Sequence, residues 1–276
     1  MEESALASLS VNQNGSSEGR WVDLEGPANF RDLGGLPIAA GGAVRMGVLF
    51  RSDSLKMLTD GDLEFLVTTV GLRRVVDLRS GPEIERHGQS DLEACGVEII
   101  HQPIVDETRG PKSKDNPEGQ RPEIALREAP LSLDLIYLYM LETFPQRFAA
   151  AVEALSDPER QPVVFHCAAG KDRTGLIGAL VLELCGVARD VIIHDFLLTN
   201  DRMALMIERH RESAEASGRD AEIEAQTLFP TEEILISLFT EFDIRHGGAE
   251  SYLLAAGIDP NVIASLRSAL VEPSPA

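Results

Sequence analysis

The stretch from Pro162 to Gly175 most constrains what this chain can fold into. It reads PVVFHCAAGKDRTG, in which an apolar run ends at His166, Cys167 follows directly, and a second apolar run begins after Arg173. The first run is typical of a buried strand, and the second has the length of a helix. The sequence therefore predicts a strand, a loop and a helix, with a thiol at the carboxyl end of the strand.

The loop between this strand and this helix has the composition of an anion site. If Ala168 to Arg173 curl, successive backbone N–H groups can point at one anion, and a helix opening near Thr174 adds its positive end. The Arg173 guanidinium can then hold a phosphate through two parallel hydrogen bonds. A thiol beside a helix N-terminus and an arginine loses its proton readily, so Cys167 is a candidate nucleophile. We therefore expect one loop both to bind phosphate and to attack it.

The overall charge limits the classes of partner. The chain has 276 residues, 43% of them hydrophobic, and a formal net charge of -20. This length can bury a sizeable core, and the negative charge would repel nucleic acid and anionic membranes at long range. We therefore expect no nucleic-acid partner and a phosphate site that is positive only locally. The sequence leaves the oligomeric state open.

The cysteines and the N-terminal segment bear on localisation. Three cysteines are an odd number for a disulfide framework, so we expect a reduced cytoplasmic protein in which Cys95 and Cys185 are inert. Residues 1–20 are rich in Ser, Asn, Gly and Glu, which predicts a disordered tail and no secretory signal peptide of the usual kind. No later run is long and apolar enough to predict a membrane span. Export by a route without a cleaved signal stays open.

The rest of the chain alternates strand-like and helical segments. β-rich runs lie at 48–52, 74–79 and 96–100, and helical patterns lie at 59–70, 131–144, 146–155, 176–185, 191–212, 231–245 and 261–270. Strands separated by helices favour an α/β fold. We expect a single domain over residues 21–272.

A change of composition interrupts this domain between Asp106 and Pro130. The segment is rich in prolines, glycines and charged residues. Long irregular segments of this kind are usually functional lids or disordered. We treat residues 106–145, the segment together with the helix after it, as a candidate helical lid insertion over the site.

The motif His166 to Gly175, HCAAGKDRTG, resembles the signature of cysteine-dependent protein tyrosine phosphatases. It is most similar to the atypical microbial group that includes the mycobacterial B-type tyrosine phosphatase and the Listeria lipid and tyrosine phosphatase. The Lys-Asp-Arg ending is the part of the motif most specific to this group. Similar stretches occur at 29–35, 49–52, 76–80, 197–200 and 252–253 with 257–258, so the resemblance covers most of the chain after Trp21.

This resemblance implies one mixed, largely parallel sheet flanked by helices, and catalysis without a metal or other cofactor through a phosphocysteine intermediate. It implies that Cys167 is the nucleophile, that Arg173 holds the phosphate and that Thr174 hydrogen-bonds the thiolate. His166 would orient the cysteine. Lys171 resembles the lysine that lipid phosphatases use for additional negative charge. The phosphate would lie against the backbone amides of Ala168, Ala169, Gly170, Lys171 and Asp172.

The general acid has several candidates. A carboxylic acid usually protonates the leaving oxygen, and well-known tyrosine phosphatases carry it on a separate loop beside a tryptophan. The only tryptophan here, Trp21, is not followed by an aspartate in that pattern. Asp172, inside the loop itself, is the first candidate, because a bound phosphate would favour its protonated form. Asp77, at the end of a predicted strand, is the second, and Asp106 is the third.

Several of these residues also have a structural explanation. An aspartate that braces a strand end would look like Asp77 in sequence, and Lys171 could be a solvated charge beside the loop. We expect Arg51 and Arg79 to be surface charges or members of ion pairs. The histidines do not have the spacing of metal ligands, so we expect no metal site.

Three other functions fit parts of the loop. Gly170-Lys171 suggests a nucleotide-binding loop, but Phe165 stands in place of its first glycine and Asp172 in place of its magnesium-binding hydroxyl. Sulfur transfer also uses a loop cysteine, but it has no need of Lys171 and Arg173 together. A module that binds phosphate without turnover would usually lack the cysteine or the arginine. The sequence therefore predicts a phosphatase acting on phosphotyrosine in proteins, with phosphoserine, phosphothreonine and phosphoinositides left open.

Overall fold

A computed structural model describes residues 19–105, 132–216 and 229–274 of the chain. The predicted N-terminal tail falls almost wholly outside these ranges. So do Asp106 and most of the candidate lid insertion. The fold described below is therefore built from the segments on either side of residues 106–131, and it includes the helix of the candidate insertion.

Seven strands are described, and five of them form the central sheet. They are β1 (Arg31–Asp32), β2 (Ala43–Val44), β3 (Leu49–Ser52), β4 (Arg74–Asp77), β5 (Glu98–His101), β6 (Val163–His166) and β7 (Val271–Glu272). The order in the central sheet is β1-β3-β6-β4-β5, while β2 and β7 form a separate antiparallel pair. Within the central sheet only β1 is antiparallel to its neighbour, whereas β3, β6, β4 and β5 run parallel. The prediction of a mixed, largely parallel sheet is confirmed.

The two faces of the sheet pack into separate hydrophobic clusters. In β6, Val163 and Phe165 belong to the larger cluster, whereas Val164 between them belongs to the smaller one on the other face. Val76 and Val75 in β4 divide in the same way. Side chains alternate across a strand, so a strand covered on both faces reads as a continuous apolar run. This explains why the run before Cys167 shows no polar alternation.

Nine α-helices are described in the same ranges. They are α1 (Asp60–Glu64), α2 (Gly81–His87), α3 (Leu133–Thr143), α4 (Pro145–Leu155), α5 (Asp172–Leu184), α6 (Arg189–Ala216), α7 (Glu232–His246), α8 (Ala249–Ala255) and α9 (Pro260–Leu270), with a π-helical extension of α1 over Phe65–Thr69. The predicted helices between 59 and 70 and beyond residue 131 are confirmed. The sequence did not predict α2 and α8, which are seven residues each. None of the helices in the described ranges combines the length and apolar character needed to cross a bilayer.

The helix after the cysteine begins earlier than the sequence suggests. α5 starts at Asp172, so Asp172 and Arg173 lie in its first turn and Thr174 follows them. Acidic residues are favoured at this position because the first backbone N–H groups of a helix have no partner within the helix. Asp172 is therefore a helix residue at the rim of the loop, where the sequence placed it inside the loop.

Candidate active site

The candidate site lies at the carboxyl edge of three parallel strands. Ser52 at the end of β3 and Asp77 at the end of β4 are both in register with His166 at the end of β6. Cys167 follows β6 directly and is 2% exposed. Ligands of open α/β sheets bind outside the carboxyl ends of the strands. The topology therefore places the predicted nucleophile between two further strand ends that carry polar residues.

The loop after Cys167 has its carbonyl groups tied to the protein beneath it. The Ser54 amide donates to the Ala168 carbonyl at 2.9 Å. The Asn29 side-chain amide donates to the carbonyls of Ala169 and Gly170, each at 3.2 Å. Three successive carbonyls are thus directed away from the solvent side of the loop. In a trans peptide the N–H points opposite to the carbonyl, so the amides that follow these carbonyls point away from the groups that donate to them.

Gly170 is needed for this loop conformation. Its φ is +63°, in the left-handed region that side chains other than glycine rarely adopt. A Cβ at this position would lie 2.4 Å from the Ser52 carbonyl oxygen. The loop can approach β3 this closely only because residue 170 has no side chain.

Arg173 is held by a carboxylate that the sequence prediction missed. Its Nη1 donates to Oε2 of Glu83 at 2.5 Å, and its Nη2 donates to Oε1 at 2.7 Å. Burial lowers the pKa of the guanidinium, but the Cys167 sulfur and Glu83 outweigh burial and raise it, so Arg173 stays charged. Burial raises the pKa of Glu83, but the hydrogen bonds and charge of Arg173 have the larger effect and lower it to about 2. Arg173 is thus charged, fixed in orientation and electrostatically coupled to the sulfur.

Glu83 had a detectable sequence signal. Ser80 and Glu83 form a capping box at the start of α2, with each side chain accepting from the other's backbone N–H. The pattern Ser-x-x-Glu predicts such a helix start. The resemblance at 76–80 ends at Ser80, and neither α2 nor the carboxylate that holds Arg173 was predicted.

The Asp172 carboxylate accepts a hydrogen bond from a tyrosine on α3. The Tyr137 hydroxyl on α3 donates to Oδ1 of Asp172 at 2.5 Å. Burial, with the negative charges of Asp172 and Cys167, raises the pKa of Tyr137 above its ordinary value, so the hydroxyl keeps its proton. The Asp172 side chain is 36% exposed, and the Lys171 ammonium lies 3.8 Å from it. The candidate general acid is therefore oriented from one side and open to solvent on another.

The Asp77 carboxylate forms an ion pair with Arg79. The Arg79 guanidinium donates to Asp77 at 2.6 to 3.1 Å, and the Arg79 backbone N–H also donates to it. Burial raises the pKa of Asp77, but these bonds together with His166 lower it below its ordinary value. Both side chains are buried. The expectation of an ion pair for Arg79 is confirmed, whereas a surface position for it is wrong.

His166 and Thr174 lie on either side of the cysteine in sequence, and both are buried. The His166 ring nitrogen Nδ1 lies 3.0 Å from the Cys167 carbonyl oxygen. Burial lowers the pKa of His166 despite the nearby Asp77, so the ring is neutral. Within the described ranges, the Thr174 hydroxyl has no hydrogen-bond partner. A buried hydroxyl without a partner is costly, so it is available to a thiolate.

A cluster of buried charges lies below the loop and was not predicted from the sequence. Asp195 on α6 accepts from Arg20 at 2.8 Å, from Arg31 at 3.3 Å and from Arg51 at 2.8 Å. All four side chains are at most 5% exposed. Arg51 also donates from Nη2 to the Gly170 carbonyl at 2.8 Å. The alternative of a surface charge at Arg51 is wrong, and the ion-pair alternative is confirmed.

The other two cysteines differ in environment. Cys185, at the end of α5, is buried, and burial raises the pKa of its thiol to about 12. Cys95 is exposed. In the described residues all three cysteines are free thiols, so none is withdrawn into a disulfide.

The chain is similar to known proteins over most of its length. Residues 22–272 match the model of the tyrosine phosphatase family. The triple specificity protein phosphatase PtpB of Mycobacterium tuberculosis is 30% identical over 282 residues, which cover 90% of this chain and 98% of PtpB. A Cupriavidus necator protein, provisionally named a tyrosine-protein phosphatase, is 35% identical over 179 residues; the match covers 64% of this chain but only 62% of that relative.

A weaker likeness exists to a solved structure. The core catalytic domain of the PP-IP phosphatase SIW14 from S. cerevisiae aligns with a TM-score of 0.34 and 14% identity, over 77% of this chain and 95% of that chain. The family match, by contrast, extends over nearly all of the ordered domain and contains every residue of the loop after β6. The chain belongs to the tyrosine phosphatase family.

Proposed function

We propose that this protein hydrolyses phosphotyrosine in proteins through a phosphocysteine intermediate on Cys167. The observation that supports the proposal is the loop after β6, in which three successive carbonyls accept hydrogen bonds from the protein beneath and Arg173 interacts electrostatically with the Cys167 sulfur. Family membership supports the reaction class. The mycobacterial relative is named a triple specificity protein phosphatase, which supports comparing other phosphorylated substrates with phosphotyrosine.

In the first step the Cys167 sulfur attacks phosphorus while the bond from phosphorus to the tyrosine oxygen breaks. Arg173 and the loop amides hold the nonbridging oxygens, whose negative charge they stabilise. We propose that Asp172 donates the proton that the departing oxygen needs. The products of this step are the dephosphorylated tyrosine side chain of the substrate protein and a phosphorylated cysteine.

In the second step water attacks the phosphorus and the bond from sulfur to phosphorus breaks. The Asp172 carboxylate, left by the first step, accepts a proton from the water. Inorganic phosphate leaves, and the thiolate of Cys167 is restored. We propose that the Thr174 hydroxyl, which is buried and without a partner in the described part of the chain, hydrogen-bonds that thiolate.

Two features favour Asp172 over Asp77 as the proton donor. Asp172 lies at the exposed rim of the loop, whereas Asp77 is buried against Arg79. The lowered pKa of Asp77 makes it a poor source of a proton near neutral pH. We propose that Asp77 instead orients Arg79 at the strand edge.

The proposal is tested with Cys167→Ser and matched phosphorylated substrates. The wild-type protein is expected to hydrolyse an aryl phosphate and to release phosphate from a phosphotyrosine peptide. Cys167→Ser is expected to lose turnover while still binding the peptide. Turnover that survives in Cys167→Ser would contradict the mechanism. Rates on phosphotyrosine, phosphoserine and phosphothreonine peptides and on phosphoinositide micelles then rank the substrates.

A further inference from the structure

Arg51 links the phosphate loop to a residue far away in sequence. Its Nη1 donates to Oδ2 of Asp195 at 2.8 Å, and its Nη2 donates to the Gly170 carbonyl at 2.8 Å. The side chain is 1% exposed, and the Phe196 ring lies 6.0 Å from its guanidinium carbon. One planar group thus connects α6 to the loop through two nitrogens whose separation is fixed. A lysine has a single terminal nitrogen and does not reproduce this geometry.

Asp195 provides the fixed point for this link. It also binds Arg20 and Arg31, so three guanidinium groups share one buried carboxylate. Burial raises the pKa of Asp195, but the three arginines lower it below its ordinary value, so it remains ionised. Buried ion clusters are costly to desolvate and are weak evidence for a stabilising role. A role in positioning the loop explains better why one arginine of the cluster donates to a loop carbonyl.

We propose that Arg51 and Asp195 are a positioning pair that holds the Gly170 carbonyl under the loop and so aims the following backbone amide at the substrate phosphate. This inference rests on the proposed phosphatase function of the same site. It adds two residues that do not touch the substrate to the machinery of the reaction.

A second donor to the Gly170 carbonyl supports this positioning role. Gly170 also accepts from the Asn29 side chain at 3.2 Å, and the Asn29 backbone is held in turn by the Asp53 carboxylate at 3.0 Å. Two independent donors therefore hold one carbonyl. Burial lowers the pKa of Arg51, while Asp195 and the Cys167 sulfur act in the opposite direction. Arg51 therefore also adds positive charge below the sulfur.

Arg20→Met is a matched control for Arg51→Met. Arg20 binds the same carboxylate at the same distance of 2.8 Å and is similarly buried, and it also donates to the Asp32 carbonyl, which is not part of the loop. Either substitution removes one positive charge from the cluster. Only Arg51→Met removes the bond to Gly170. Arg51→Lys, which keeps the charge but not the two-nitrogen link, serves as a second variant should Arg51→Met fail to fold.

The experiment measures kcat and KM on an aryl phosphate, the inhibition constant of inorganic phosphate, and amide hydrogen exchange of the peptide containing residues 168–175. Arg51→Met is expected to lower kcat/KM by about 10- to 100-fold, because small displacements of catalytic groups have effects of this size. Phosphate is expected to bind more weakly, and exchange in the loop to rise. Arg51→Lys is expected to show the same changes to a smaller extent, and Arg20→Met to leave loop exchange at the wild-type level.

Equal losses in Arg51→Met and Arg20→Met, in proportion to their loss of thermal stability and with unchanged loop exchange, would overturn the inference. Full activity in a folded Arg51→Lys would also overturn it. A wild-type protein that hydrolyses no phosphate ester would refute the proposed function instead. In that case, phosphate affinity and loop exchange still decide whether Arg51 positions the loop.

Discussion

Glu83 and Arg173 form a parallel pair in which each carboxylate oxygen accepts from one guanidinium nitrogen. The same carboxylate also accepts from the Ser80 backbone N–H at 2.7 Å, at the start of α2. A helix start formed by a capping box therefore sets the orientation of the Arg173 guanidinium. Because the pair is bidentate, it fixes both the position and the plane of the guanidinium.

We predict that Glu83→Gln lowers kcat/KM by about 10-fold, because a neutral amide cannot accept both hydrogen bonds and the Arg173 plane becomes free to rotate. The loss should appear for activated and unactivated substrates alike, since it concerns phosphate binding rather than the leaving group. Steady-state kinetics on both substrate types checks this. Glu85→Gln, on the exposed side of the same helix, is the control; equal effects of the two substitutions would contradict the prediction.

Glu83 also predicts a dependence of stability on pH. Its pKa is about 2 in the folded protein against an ordinary value of 4.5. A depressed pKa contributes stability that is present above the ordinary value and is lost as pH falls toward the folded value. With allowance for partial exposure, the contribution is about 2 kcal/mol.

Chemical denaturation between pH 6 and pH 3 checks this contribution. The free energy of unfolding of the wild type is expected to fall more steeply below about pH 4.5 than that of Glu83→Gln. Above that pH the two curves should run parallel. Parallel curves throughout the range would show that the pair does not supply the pH dependence.

We predict that Asp172→Asn slows hydrolysis of poor leaving groups by about 100-fold and of activated aryl esters by much less. A good leaving group departs as an anion and needs no proton, which is why the two substrate types separate. Rates on a phosphotyrosine peptide and on an activated aryl phosphate, compared under the same conditions, provide the measurement. An equal loss on both would reassign Asp172 to a structural role.

Asp77→Asn is predicted to behave differently. It leaves the buried Arg79 without its carboxylate partner, and uncompensated buried charges cost about 3 kcal/mol or more. Activity should therefore fall together with the free energy of unfolding, and by the same factor for both kinds of leaving group. A selective loss on poor leaving groups in a stable Asp77→Asn protein would make Asp77 the proton donor.

We predict that Gly170→Ala abolishes most activity and destabilises the protein by about 2 kcal/mol or more, because it combines a left-handed backbone with a steric overlap. The added Cβ would meet the Ser52 carbonyl oxygen at 2.4 Å. Thermal unfolding and turnover check this. Gly61→Ala in α1, where the nearest atom to a new Cβ is 3.7 Å away, should leave the melting temperature unchanged or raise it.

The central sheet and the strand, loop and helix around Cys167 could be predicted because their signals are local. A buried parallel strand is a continuous apolar run, and the loop residues after it follow in sequence. Local signals also sufficed for the starts of α1 and α9, which lie within one residue of the predicted limits, where Thr59 and Asp259 accept from backbone amides. The start of α2 was equally readable from its capping box, and only the short length of that helix concealed it.

The cluster around Asp195 could not be predicted from sequence. Arg51 and Asp195 are separated by 144 positions, and a buried charge produces no periodic pattern. A single arginine in the run Leu49–Ser52 looks like an exposed residue of an edge strand until the fold brings a carboxylate to it. The Tyr137 hydroxyl at Asp172 was missed for the same reason, since it lies 35 positions away, on the helix of the candidate lid insertion.

The unequal surroundings of the three sulfur atoms affect how chemical labelling of this protein is read. Cys95 is open to reagents in solvent, whereas Cys185 is buried with its pKa near 12 and Cys167 is almost covered. The incorporation of one equivalent of an alkylating agent therefore does not identify the nucleophile. Only a Cys95→Ser background, or mapping of the modified peptide, connects the stoichiometry of labelling to the loss of turnover.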